Sequence, residues 1–170
     1  MFKRVLIIFS FITTLGFATE KEFESIYSNT LRFEGKTYVK NQIEESKFGI
    51  TKHYTKNVNA LTEDKAFKIA YTRIYKAHRL NEITDKKVRT FIFDWVYNSA
   101  PRNAIKRIQS LLDIEQTGNM NAQTINALNE FTDTDLLIFL LKENRLSYLK
   151  TLKHYKKYEK GWNNRVANVV

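Results

Sequence analysis

The 170-residue sequence contains no cysteine, one proline, five glycines and three histidines. Without cysteine the chain has no disulfide framework, no cysteine nucleophile and no thiolate metal ligand, so its core must supply its stability. So little proline and glycine argues against a loop-rich, all-β or disordered chain. None of the histidines stands in a zinc-binding spacing such as H-E-x-x-H, and we expect neither a metal nor an organic cofactor.

Hydrophobic residues make up 43% of the sequence and charged residues 27%, which suits one compact domain with a sizeable core. The abundance of lysine, glutamate, leucine, isoleucine and alanine favours helices. The spacing of the apolar residues predicts a mainly α fold of about six helices, with a short irregular or β-hairpin wing between the first two.

The N-terminal segment has the pattern of a secretory signal peptide. Lys3 and Arg4 precede an apolar run over residues 5–17, and Gly16-Phe17-Ala18 is a small-x-small cleavage site. We therefore predict a signal peptide over residues 1–18 and a periplasmic or secreted mature protein. The alternative is an uncleaved N-terminal anchor, although the apolar run is short for a membrane span.

The formal net charge is +10, and removing the predicted signal peptide leaves 26 basic and 18 acidic residues, a net charge of +8. For an exported protein this charge favours cell-wall polymers, anionic lipid or lipopolysaccharide as partners rather than nucleic acid. Lysines cluster between Lys150 and Lys160, either as a solvated face or as an electrostatic attachment to the anionic wall. A third hypothesis, a cationic protein that disturbs membranes, rests on charge and the signal-like segment alone.

Helical spacing predicts a first helix over residues 21–34, ended by Gly35 in the left-handed conformation. Its apolar face consists of Phe23, Tyr27, Thr30 and Leu31. Residues 36–58 have no sustained helical period and are predicted to form a loop or short hairpin. Thr62 and Thr84 are expected to cap the second and third helices.

The C-terminal half is predicted to be helical throughout. Pro101 suits the first turn of a fourth helix, and residues 121–128 suit a short helix capped by its first residue. Thr132 and Asp135 resemble a capping box before a last long helix over roughly residues 133–159.

Glu34 closes the apolar face of the first helix. Partial burial and the negative end of the helix dipole would both raise the pKa of a carboxyl group at this position. A general acid that works near neutral pH needs such a shift. The alternative is that a frayed last turn exposes Glu34 to solvent.

Five short segments between residues 27 and 166 resemble the motifs of one enzyme family in their order along the chain. They are Glu34-Gly35 followed by Tyr38, SKFGIT at residues 46–51, FDWVYNSAP at residues 93–101, the stretch from Ala104 through Thr117-Gly118 to Thr124, and GWNNR at residues 161–165. These segments resemble the E-G-G-Y, T-x-x-G-I-T, F-D-x-x-V-N-S-G-P, C-terminal and G-W-x-N-R motifs of the glycoside hydrolase family 108 lysozymes, also described as secretion-activator-like proteins.

The resemblance implies a lysozyme-like helical domain that binds peptidoglycan and cleaves the β-1,4 bond between N-acetylmuramic acid and N-acetylglucosamine. Glu34 takes the position of the catalytic glutamate, which protonates the glycosidic oxygen. Residues 19–84 would form the lysozyme-like part that carries Glu34. Residues 85–170 would form a peptidoglycan-binding-like helical part, packed with the first as one globular unit.

The sequence departs from the family pattern around the wing. Lys36-Thr37 stands where the family has a single glycine, and residues 41–45 replace the family's glycine-rich loop. The motif threonine is Ser46, whose hydroxyl can still orient a water or a sugar N-acetyl group. These changes favour an alternative function, a non-catalytic peptidoglycan-binding protein on the same fold.

The second catalytic group is open at this point. Glycosidases generally use two carboxylates, and Glu44 or Glu45 in the wing could approach Glu34 across a cleft. Asp64 is a further candidate. A mechanism with a single acid, including one that releases a 1,6-anhydro product, is equally compatible with the sequence.

Other polar and aromatic residues of the motifs are candidate substrate contacts. Asp94 and Asn98 share one helical face, where they would either bind a sugar or tie neighbouring helix ends together. The remaining predicted substrate-binding residues are Tyr38, Ser46, Phe48 and Thr51, with Tyr97 as a further aromatic candidate. Trp95 is expected in the core, and Trp162 and Arg165 are expected to fix the C-terminal segment rather than touch substrate.

Overall fold

The fold is built from helices, with one small sheet near the start of the chain. The structure, a computed structural model, describes residues 19–34, 37–40 and 45–170. Its α-helices within these ranges are α1 Glu20–Glu34, α2 Glu63–Ile69, α3 Lys86–Asn98, α4 Pro101–Leu111, α5 Ala122–Asn129, α6 Thr134–Lys150 and α7 Tyr155–Asn168. A π-helical segment Ala70–Lys76 continues α2, and a 3₁₀ turn Leu80–Glu82 precedes α3. The mainly α prediction is confirmed, whereas the predicted signal peptide and the helix-ending Gly35 lie outside the described residues.

The predicted wing is a three-stranded antiparallel sheet of β1 Val39–Lys40, β2 Glu45–Lys47 and β3 Ile50–Thr51, with β2 in the centre. Phe48 and Gly49 form the turn between β2 and β3, with φ angles of 55° and 76°. Of the two forms considered for the wing, the structure has the β form.

Helix α3 lies at the centre of the molecule. Its residues from Val88 to Tyr97 are all buried, and the helix packs against α1, α4, α6 and the π-helical segment. Trp95 is fully buried, as expected for a core residue. One cluster of buried apolar side chains runs from Phe23 in α1 to Val169 after α7. The division of the chain at residue 84 stays a prediction.

The start of α3 differs from its prediction by one residue. Asp85 caps the helix, because its side chain accepts a hydrogen bond from the Val88 amide at 2.9 Å. Thr84 instead donates its backbone N–H to the side chain of Asn129 at 2.9 Å. The other predicted helix starts agree with the structure, since Thr62 and Asn121 are caps and Pro101 opens α4.

The predicted last long helix is wrong, because residues 151–154 interrupt it and separate α6 from α7. Asp133, rather than Thr132, caps α6. After the break, α7 packs back along α6, and Lys142 donates to the Ala167 carbonyl at 3.0 Å. The Asn29 side chain of α1 donates to the Val169 carbonyl. The residue that follows α7 thereby contacts α1, the helix that ends at Glu34. Among the helices described, none combines the length and apolarity that a membrane crossing requires.

Candidate active site

Glu34 occupies the last position of α1, where the apolar face of the helix meets a cleft. The residues one and two turns earlier are buried in the core, so the helix holds the carboxyl group at a fixed place on the cleft wall. The Glu34 side chain is 17% exposed, and Nη1 of Arg165 lies 2.6 Å from its Oε1 atom. The alternative of a glutamate turned out to solvent is therefore wrong.

Arg165 joins two carboxylates through one guanidinium group. Besides the ion pair with Glu34, its Nη2 atom donates to Oδ1 of Asp94 at 2.6 Å, and its Nε donates to Oδ2 at 3.0 Å. The guanidinium carbon also lies 5.3 Å from the centre of the Phe33 ring. A planar group with several N–H donors is suited to this bridging role, which a lysine could not fill.

Asp94 is completely buried and also accepts a hydrogen bond from Nη1 of Arg145 at 2.7 Å. Burial by itself would raise the pKa of Asp94, but the charges and hydrogen bonds of Arg145 and Arg165 outweigh it and lower the pKa. Because it is buried, Asp94 does not reach substrate. The predicted sugar contact is wrong for this residue, and the alternative of a structural tie between helices applies.

A cavity of about 480 Å³ opens beside Glu34. One wall is the sheet and the segment after it, and the other is the corner where α3 ends and α4 begins. The residues that line it are Glu34, Ser46, Gly49, Thr51, His53, Tyr54, Tyr97, Asn98, Ser99, Ala100 and Pro101. Its size is in the usual range for a ligand-binding pocket.

Ser46 and Thr51 are direct partners across β2 and β3, and both line the cavity. Since directly opposed residues of an antiparallel pair lie on the same face, the sheet presents two hydroxyl groups to the cleft that contains Glu34. Asn98 also lines the cavity, and its side-chain amide donates to the Asp94 carbonyl at 2.9 Å. Tyr97, the further aromatic candidate, lines the cavity as well. The structure thus brings four of the candidate substrate-binding residues to the cavity; their contact with substrate stays a prediction.

Glu45 faces away from this cavity, because successive side chains of a strand alternate between the two faces and its neighbour Ser46 lines the cleft. Its carboxylate lies 2.9 Å from Nζ of Lys40 and 3.2 Å from Nζ of Lys52. The hydrogen bonds from these two lysines lower the pKa of Glu45. The prediction of Glu45 as a second catalytic carboxylate is therefore wrong, and Glu44 lies outside the described residues.

Two predicted aromatic contacts lie away from the cavity. The Phe48 side chain is buried in the core, so its predicted stacking on a sugar is wrong. Its contribution to the site is its backbone, since its carbonyl accepts the Tyr97 hydroxyl at 2.6 Å. Tyr38 packs half-buried against the core and is not among the residues that line the cavity. Asp64 lies with Glu24 and Tyr27 at a different pocket.

Gly49 lets the sheet approach the catalytic candidate closely. Its φ angle of 76° is readily adopted by glycine. A Cβ atom at this position would lie 2.6 Å from Cε1 of Tyr97 and 3.0 Å from Cδ of Glu34. The turn therefore packs directly on the carboxyl group of Glu34, and a larger residue at position 49 would push the two apart.

Sequence reasoning missed several residues of the site. Arg165 was expected to fix the C-terminal segment, and it does bridge the core, but it also contacts Glu34. Its place in the GWNNR segment was the available signal. Nothing in the local sequence around Arg145, His53 or Tyr54 indicated that they would lie at the site. Across the described ranges, the structure shows no group of three or more acidic or histidine side chains suited to a metal ion.

The comparison with known structures identifies the fold. The chain superposes on the structure of Brucella abortus SagA with a TM-score of 0.78 and 25% sequence identity, covering 89% of this chain and 92% of that one. This is a helical lysozyme-like fold with a small antiparallel sheet as its wing. No family model matches the sequence, and no curated protein matches it.

Proposed function

We propose that this protein is a muramidase, which cleaves the β-1,4 bond between N-acetylmuramic acid and N-acetylglucosamine in peptidoglycan, with Glu34 as the general acid. The observation that carries the proposal is the placement of the Glu34 carboxyl in a cleft of suitable size, facing two hydroxyl groups of the sheet. The motif resemblance to family 108 lysozymes and the structural likeness to Brucella abortus SagA support it.

In the proposed reaction, Glu34 donates its proton to the glycosidic oxygen while the bond from that oxygen to C1 of the sugar breaks. Because Oε1 is engaged by Arg165, we assign proton donation to Oε2. The Arg165 contact fixes the orientation of the carboxyl group in the free protein.

Glu34 is the one carboxylate among the described residues that line the cavity. We therefore favour a mechanism with a single acid. The hydroxyl groups of Ser46 and Thr51 would orient an attacking water or the N-acetyl group of the sugar. Attack by water gives a reducing end, and attack by the sugar's own 6-hydroxyl gives a 1,6-anhydro end.

The test is to incubate purified sacculi with wild-type protein and with Glu34→Gln, and to analyse the released muropeptides by mass spectrometry. General acid catalysis contributes about 10²–10⁴-fold in rate, so Glu34→Gln should lower release by about that factor. Glu45→Gln is the matched control, since the same change is made on the opposite face of the sheet. Equal release by wild type and Glu34→Gln would refute the role of Glu34.

The second candidate is a peptidoglycan-binding protein that does not cleave. The observation in its favour is the Arg165 ion pair, which neutralises the only described carboxylate of the cleft. It predicts that wild type and Glu34→Gln bind sacculi equally and that neither releases muropeptides.

Both functions place the protein outside the cytoplasm, in the periplasm or secreted. The side chains of Lys150, Lys153, Lys156, Lys157 and Lys160 are all exposed around the break between α6 and α7. This distribution fits electrostatic attachment to an anionic wall.

A further inference from the structure

A second cavity of about 300 Å³ lies directly beside the catalytic cleft. The two cavities share Asn98, Ser99 and Ala100, the corner between α3 and α4. Arg165, whose guanidinium contacts Glu34, also lines the second cavity. A ligand that extends from the cleft past this corner would therefore enter the second cavity next.

One side of the second cavity is apolar and aromatic. It is formed by α6, by the break that follows it and by α7, through Tyr148, Leu149, Leu152 and Trp162. Trp162 is partly exposed and is held by ring contacts with Tyr155 and Tyr158, whose ring centres lie 6.2 Å and 5.5 Å away. Such a wall accepts small apolar groups, and its rigid aromatic ring can stack on planar amide groups.

Arg145 gives this cavity an anion-binding group. Its side chain is only 3% exposed, and among the described residues its one hydrogen bond goes to Asp94. Its Nε atom is buried without a partner. Because Arg145 and Arg165 both line the cavity, a carboxylate that enters it lies beside two guanidinium groups.

The charges around the cavity change during the proposed reaction. Arg145 and Arg165 are balanced by Asp94 and Glu34 while both acids are ionised. When Glu34 carries the proton that it donates, the group has one excess positive charge. The second cavity therefore favours a carboxylate at the stage when substrate must be bound.

We propose that the second cavity binds the stem peptide of peptidoglycan, the short chain with methyl groups and free carboxylates that each muramic acid carries. Trp162 and Leu152 contact its apolar groups, and a carboxylate of the peptide lies beside the guanidinium group of Arg145. The assignment rests on the proposed function, since it names the part of the same substrate that lies beside the cleaved bond. It makes the protein selective for glycan strands that still carry peptides.

The test measures binding rather than cleavage. Two soluble probes are titrated into the ¹⁵N-labelled protein: the disaccharide tetrapeptide of peptidoglycan and the same disaccharide without its peptide. In both probes N-acetylmuramic acid is the reducing-end sugar, so neither contains the bond from its C1 atom that the proposed enzyme cuts. The result is therefore independent of catalysis. The indole signal of Trp162, which lines the cavity, should shift more with the tetrapeptide probe than that of the fully buried Trp95. We expect the probe without peptide to bind at least about ten-fold more weakly, a difference of about 1.4 kcal/mol.

Leu152→Ala and Trp162→Ala should each weaken binding of the tetrapeptide probe about five- to ten-fold while leaving binding of the disaccharide unchanged. Leu136→Ala is the matched control, because Leu136 is an exposed leucine of α6 that does not line the cavity. Thermal unfolding of each variant checks that it is folded, and Leu152→Ala carries the test if Trp162→Ala is not. Equal affinity for the two probes, no binding of either probe, or an equal loss in Leu136→Ala would overturn the proposal.

Discussion

Replacing Arg165 by methionine removes the group that joins Asp94 to Glu34, and it should destabilise the fold strongly. Asp94 is completely buried, and the substitution leaves it with Arg145 as its charged partner, 2.7 Å away. Breaking a buried ion pair typically costs 3–5 kcal/mol, because it leaves an uncompensated charge. Since Arg145 remains in place, we expect the lower end of that range, about 3 kcal/mol.

The assay is urea unfolding at pH 7, with the free energy and its denaturant dependence fitted together. Arg79→Met is the matched control, since Arg79 forms an ion pair with Glu82 at 2.6 Å but is 42% exposed. An exposed pair of this kind should contribute about 0.5 kcal/mol. A cost below about 1 kcal/mol for Arg165→Met, similar to that of the control, would refute the reasoning.

Adding Asp94→Asn to Arg165→Met separates the buried charge from the lost packing. The double variant should be more stable than the sum of the two single changes predicts, because both single changes break the same Arg165–Asp94 ion pair. The pH dependence gives a second check. The pKa of Asp94 is lowered in the folded protein, so its contribution is complete above the unfolded value near 4 and is lost as the pH falls through the folded pKa.

Three further predictions concern Gly49, Tyr75 and the exposed lysines. Gly49→Ala should cost about 1–2 kcal/mol of stability through the positive φ alone. It should also lower muropeptide release about ten-fold or more, since its Cβ would lie 2.6 Å from Tyr97; wild-type release would contradict this. Gly161→Ala is the control, because Gly161 lies inside α7 with no atom within 4 Å, so the change should leave release as it is and not destabilise the fold. Burial raises the pKa of Tyr75 to about 12, so its contribution to stability is complete below pH 10 and is lost as the pH rises towards 12. The tyrosinate absorbance of the folded protein near pH 10 should therefore not include Tyr75. Replacing two exposed lysines of residues 150–160 by glutamate should weaken binding to sacculi most at low salt and leave cleavage of soluble glycan fragments unchanged; salt-independent loss would refute the attachment.

Local features of the sequence predicted the helices well where each signal acts on its own neighbours. Pro101 opens α4, and Asn121 caps α5, because both act through contacts within one turn. The same kind of signal was misleading at Thr84, where a contact with Asn129 from another part of the chain takes its place. The break after α6 was missed because residues 151–154 lack glycine and proline.

The candidate site could be predicted only in part. Glu34 was found because helical spacing and motif order both point to it. Its partner Arg165 was not found, because their contact depends on how α7 docks after the break at residues 151–154. Side chains alternate along β2, so only one of the neighbours Glu45 and Ser46 can face the cleft. Predicting which one does so required the register of the sheet, whereas the sequence predicted only that a hairpin could form.

The bridge made by Arg165 also links the proposed activity to folding. Glu34 belongs to the earliest helix that the structure describes, and its partner comes from α7, so most of the chain must be synthesised before the two can meet. Contacts between such distant segments form late, after the cost of closing the intervening loop has been met. A nascent or partly unfolded chain would therefore hold the acid without the group that orients it. For the proposed muramidase, cleavage of peptidoglycan would begin only when the fold is complete, and muropeptide release would report the docking of α7.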